Sequence, residues 1–164
     1  MRCEHQGART AEPAEDGFTL LELMMVILII GILIAVLTPT FLGASNRAKD
    51  RAMQTTLRNA TTAAKSLYLA KADYTVATPA SLTAEVGGLT FVPAGTPPSG
   101  VNAVSVNSLS TTQIVLAGQS KSGMCFYVMD DEASGTSKYA ALLGAGGCAA
   151  NTILPTNPGW KSAW

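Results

Sequence analysis

Hydrophobic and polar positions divide the chain into four stretches of different rhythm. Residues 1–16 are polar, carry Pro13 and show no apolar period, so they cannot bury enough surface to fold alone and are expected to be disordered. From Phe18 to Leu37 apolar residues run on, broken by a single charge, Glu22. About 20 such residues in a helix are what a bilayer core requires. Beyond Pro39 the spacing turns amphipathic: Met53, Leu57, Ala60, Ala64 and Leu67 step by four, three, four and three, along one helix face. Arg47, Lys49, Arg51, Arg58, Lys65 and Lys71 take much of the remaining surface. No glycine or proline falls between Ala44 and Val76, so one helix is predicted from about Phe18 to Ala72, a rod roughly 80 Å long.

Around Pro79 the residues become Gly, Pro, Ser and Thr with short β-branched runs, the pattern of strands separated by turns. Candidate strands are Leu89–Val92, Ala103–Val106, Gln113–Leu116, Cys125–Met129 and Tyr139–Leu143, with a loop from Pro93 to Gly100. An antiparallel sheet of these strands laid on the amphipathic half of the helix gives an α+β head.

Composition sharpens this division. Charged residues are 13% of the chain against 48% hydrophobic, and mean hydropathy is positive at +0.26, which points to a membrane segment in a chain long enough for one domain. Net charge is zero, so no global field steers the molecule to nucleic acid. The basic helix residues are interrupted by Asp50 and lack an aromatic platform, and a solvated or subunit-facing surface is preferred over phosphate binding. The lone histidine, His5, precedes the apolar run, and no nucleophile–base pair or metal-ligand spacing follows it; neither an enzyme, a cofactor nor a metal site is expected. Asp130, Asp131 and Glu132 suit a solvated turn better than a calcium loop. Trp160 and Trp164 either pack onto the head or rim it.

Cysteines stand at 3, 125 and 148, and removal of the first segment would turn an odd count into a pair. Closure of Cys125 with Cys148 would stabilise a small domain by roughly 3 kcal/mol and would place it outside the cytoplasm; two free buried thiols are the competing view. Zinc lacks ligands here.

Gly17 followed by Phe18, Thr19, Leu20, Leu21 and Glu22, then an apolar helix, resembles the processing site of type IV prepilins and pseudopilins. The resemblance implies cleavage by a prepilin peptidase after Gly17, methylation of Phe18, and an assembly role for Glu22; Gly31 and Pro39 match a glycine and a proline common in that helix. The acidic end of the leader, Glu15-Asp16-Gly17, is similar to leaders of Gram-positive pilins rather than to the basic ones usual elsewhere. Arg2 and Arg9 lie before the apolar run and Arg47, Lys49 and Arg51 after it, so charge bias does not orient the span; the resemblance and the cysteines place the head outside.

The resulting division is a cleaved leader over 1–17, a transmembrane and filament-core helix over 18–38, its amphipathic continuation over 39–73, and a β-rich head over 74–164 with a disulfide-closed loop. Glu22 is costly in lipid, by about 2.5–3.5 kcal/mol at the bilayer centre and less near an end, and either snorkels to the headgroups or asks for a partner. Cleavage would supply one, a positive amine on Phe18 about one turn away, and in a filament the Phe18 amine of the next subunit. Such a pair at about 4 Å is attracted by roughly 4 kcal/mol before desolvation. Gly31 and Pro39 make the segment between them easier to unwind, or simply kink it. The implied protein is a major or minor pilin, a single-pass membrane protein before assembly and a surface filament after it. Its partners would be further copies and related pilins, the peptidase, an assembly ATPase and a platform membrane protein. The alternatives are a pseudopilin of type II secretion and a membrane-anchored extracytoplasmic binding module that does not polymerise.

Overall fold

The structure, a computed structural model, describes residues 17–144 and 147–164, with the backbone alone at 38–40 and 42. The expected leader, with Cys3 and His5, lies outside the described residues apart from Gly17. Helix α1 spans Leu20–Lys71, and the chain divides into two compact units, Met1–Phe41 and Leu42–Trp164.

In the first unit the helix opens on Thr19, whose hydroxyl accepts from the Glu22 N–H at 3.1 Å while its carbonyl accepts from the Leu23 N–H at 3.2 Å. Leu20–Leu37 has a mean hydropathy of 3.1, none of it is buried, and it is long and apolar enough to cross a membrane. Helical backbone passes through both Gly31 and Pro39.

In the second unit α1 presents Met53, Leu57, Ala60 and Ala64, all fully buried, with Leu67 half-buried beside them. This is the face that the spacing predicts. The helix stops at Ala72, held at φ +53°, a costly conformation for a residue with a Cβ. Asp73 then caps a 3-10 turn, Tyr74–Val76, through a bond from the Thr75 N–H to its carboxylate. A short helix α2, Pro79–Glu85, follows; the Thr78 hydroxyl caps it and Pro79 takes its first position, where a missing N–H costs nothing.

Five strands follow, β1 (Thr90–Pro93), β2 (Ala103–Ser108), β3 (Gln113–Gln119), β4 (Met124–Asp131) and β5 (Thr136–Leu143), side by side in chain order. Each predicted strand is present. The wholly antiparallel sheet expected from the sequence is corrected at one edge: β1 pairs parallel to β2, Phe91 opposite Val104, and the other three pairs are antiparallel. Parallel strands usually need a connection of about a dozen residues or more. Here residues 94–102 suffice because the chain reverses twice, through a turn closed by Thr96 N–H on Pro93 and another closed by Ala103 N–H on Gly100, which sits at φ +101°.

The sheet is covered on both faces. Val104, Val106, Ile114, Leu116, Phe126 and Val128 pack with the helix, whereas Val115, Ala117, Cys125, Tyr127 and Met129 pack with Cys148, Ala150 and Ile153 of the C-terminal loop. Alternation across a strand separates these two sets. Double coverage explains why β3 and β4 read as continuous apolar runs. Gly118 on β3 lies under Met53, and a Cβ there would overlap the Met53 sulfur, so a larger residue at that position would make the Met53 side chain shift. Trp164 also joins the helix-side layer, its ring 5.2 Å from Phe126 and 5.0 Å from Tyr139, and Trp160 donates to the Leu154 carbonyl at 2.9 Å.

Candidate functional site

Gly17 and Phe18 lie just before the helix, both exposed, and Glu22 is exposed in its first turn. The Thr19-Leu20-Leu21-Glu22 spacing is that of a capping box, in which the hydroxyl of the cap residue satisfies the N–H of the third helical residue. The capping role of Thr19 is marked in the sequence by this T-x-x-E signature. A helix beginning here presents unsatisfied N–H groups and the positive end of its dipole beside the Glu22 carboxylate, which suits an acid at this position. Nothing within 4 Å would meet a Cβ on Gly31, so glycine is not required there by packing in the isolated chain. The surroundings of Pro39 lie outside the described residues.

In the head, two polar contacts tie α1 to the sheet. One lies where Ser122, in the turn between β3 and β4, donates to the Asp50 carboxylate. The second gathers around Asp130, whose side chain is 2% exposed: Lys65 Nζ stands 3.1 Å from one oxygen, Ser137 donates to the same oxygen at 2.5 Å, and the Tyr74 hydroxyl donates to the other at 2.6 Å. Lys65 also reaches Glu132 at 3.0 Å. The expectation of a solvated acidic turn is therefore corrected: Asp130 and Asp131 end strand β4, and Asp130 faces the helix because alternation puts it on the side of Phe126 and Val128. Lys65, expected at a solvated or subunit-facing surface, reaches Asp130 and Glu132 at the end of the sheet while its side chain stays 42% exposed. A buried carboxylate is retained only with partners, and this one has three.

The charges respond accordingly. Burial pulls the Lys65 amine down, and the bonds and charges of Glu132 and Asp130 more than offset it, so its pKa lies above the ordinary value. Burial first, then the Asp130 carboxylate, raises the Tyr74 phenol far above its usual range. Asp131 is lowered chiefly by the Gln113 side-chain amide, which donates at 3.0 Å. Among the described residues no group of acidic, histidine or cysteine side chains is arranged to hold a metal ion. Tyr74 and Ser137 carried no sequence signal, since the contact of Tyr74 with Asp130 spans 56 positions.

Cys125 on β4 and Cys148 in the C-terminal loop are joined, their Cα atoms 5.2 Å apart. The bond lies in the second layer, under Ala150 and Ile153, and fixes the loop that covers that face.

An exposed apolar helix entered through a Gly-Phe-Thr-Leu-Leu-Glu junction is thus followed by an α+β head of helix on sheet, an arrangement similar to that of type IV pilins. The family model for the prokaryotic N-terminal methylation motif matches residues 13–38. The chain is also similar to the type IV major pilin protein PilA of Myxococcus xanthus (strain DK1622), 44% identical over 62 residues. That match covers 38% of this chain and 28% of the length of the relative. No solved structure matches the chain.

Proposed function

We propose that this chain is a structural subunit of a type IV pilus, cut after Gly17, methylated on Phe18 and assembled through its N-terminal helix. The observation that carries the reading is the junction itself: an exposed Gly17-Phe18 bond immediately before the Thr19 cap, with Glu22 in the first turn of an apolar span. Cleavage there leaves Phe18 as the new terminus without disturbing the cap. Its amine adds a charge to the positive end of the helix, and Glu22 offers the complement to the amine of a neighbouring copy. In lipid the carboxylate lacks such a neighbour, so pairing favours removal of the helix from the bilayer into a stack of like helices. Similarity to a major pilin supports the pilus over the secretion pseudopilus.

The test is to shear cells and image the released fraction. Wild-type chain is expected in fibres, and Glu22→Val is expected to be cut and inserted normally yet to enter fibres at least tenfold less, the factor that about 1.4 kcal/mol of lost pairing produces. Normal fibre yield from Glu22→Val would remove the pairing, and no fibres from wild type would remove the subunit reading.

A further inference from the structure

The junction before the apolar span holds two residues able to open its helix, Asp16 and Thr19. Thr19 is the one in use: its hydroxyl accepts from the Glu22 N–H at 3.1 Å, its carbonyl accepts from the Leu23 N–H at 3.2 Å, and α1 begins at Leu20. Gly17 and Phe18 therefore stand outside the helix, both exposed. The next capping residue upstream in the sequence is Asp16, and aspartate caps at least as well as threonine. A helix opened there would begin with Gly17, Phe18 and Thr19 and would hold the Gly17–Phe18 peptide in its first turn. Two features of the sequence favour the later start. Thr19 has an acid at the third helical position, Glu22, as a capping box requires, whereas Asp16 would have Thr19 there. Gly17 is also a poor residue to take into a helix.

We infer that Thr19 is a positioning residue for the cut: it holds the helix start downstream of the Gly17–Phe18 bond and so keeps that bond in the form a peptidase takes. Proteolysis falls on exposed chain outside regular structure, because a peptide bond inside a helical turn must first be unwound to enter a protease site. Loss of the hydroxyl would move the start to Asp16, and the cleavable form would become a fraction of the population. A substrate only partly in its binding-competent form binds more weakly by that fraction, whereas turnover of the bound form is unchanged. The inference rests on the reading that the chain is cut after Gly17, and it gives Thr19 a part in that cut separate from the pairing of Glu22.

Steady-state cleavage of the full chain in detergent by a purified type IV prepilin peptidase tests it, with the shortened product measured by mass spectrometry. Thr19→Val, which keeps the shape and removes the hydroxyl, is expected to raise KM about threefold to fivefold and to leave kcat within about twofold; the upper figure is what about 1 kcal/mol of lost capping produces. Thr19→Ser, which caps, is expected to stay within about twofold of wild type in both. In an Asp16→Ala background, where the competing cap is gone, Thr19→Val is expected to change KM by less than about twofold. Wild-type kinetics for Thr19→Val, a loss confined to kcat, or a KM effect that persists without Asp16 would overturn the assignment and leave cleavage after Gly17 standing. Wild-type chain that is not cut would overturn both.

Discussion

Asp130 shows how one buried charge fixes the seat of a helix. Its carboxylate gathers Lys65 from α1, Tyr74 from the 3-10 turn and Ser137 from β5, so three separate pieces of chain meet on one group. Removing one of the buried members, Asp130 or Tyr74, takes from the other a close polar partner, while Lys65, 42% exposed, keeps Glu132. Asp130→Ala is expected to destabilise the head by about 3 kcal/mol, and Tyr74→Phe, which keeps the ring against Tyr68, by about 2 kcal/mol. Denaturant unfolding of the full chain in detergent measures both, and a change under about 0.5 kcal/mol for either would contradict the assignment. The same residues set a pH dependence. Tyr74 and Tyr127, both raised mainly by burial, and Lys65 bind their protons more tightly folded than unfolded. Their contribution is complete below the ordinary values of 10.0 and 10.5 and is lost as pH rises through the higher folded ones. Asp131 has the opposite sign: its share is present above the ordinary 3.8 and is lost as pH falls through the depressed folded value. The unfolding midpoint is therefore expected to stay level from about pH 5 to 9 and to fall on either side; a continuous decline across the neutral range would contradict these assignments.

At the scale of elements, the sheet needs cover on two faces and has two different covers. The helix face was legible because Met53, Leu57, Ala60 and Ala64 keep a helical period that only burial on one side explains. The strands were legible as β-branched runs between turn residues. The parallel placement of β1 was not, because it depends on two reversals in a proline-containing loop whose direction no local period records. Helix α2 was missed in a Ser- and Thr-rich stretch, although Thr78-Pro79 is a start signal in its own right. The second cover, the loop from 147 to 153, has little secondary structure and is held by Cys125–Cys148 and by a bond from the Ala150 N–H to the Ser105 hydroxyl at 3.0 Å. Cys148→Ser is accordingly expected to cost about 3 kcal/mol in denaturant unfolding and to make the midpoint insensitive to reductant. A midpoint in wild-type protein that already ignores reductant would contradict a stabilising role for the bond.

For the molecule as a whole, the informative part of the sequence is the boundary between Gly17 and Phe18. The junction was legible because Gly17, Phe18 and Glu22 stand at fixed spacing ahead of an unbroken apolar run. Lys65, Tyr74 and Ser137 were not, because their meeting point exists only after the helix lies on the sheet. In the proposed filament, a positive terminus created beside Glu22 would be what joins the anchor to the stack. Mass spectrometry of the chain recovered from its working form measures that terminus directly. The account predicts a polypeptide beginning at Phe18 and carrying a methyl group on its amine; a polypeptide that still begins with Met1 and includes Gly17 would contradict it.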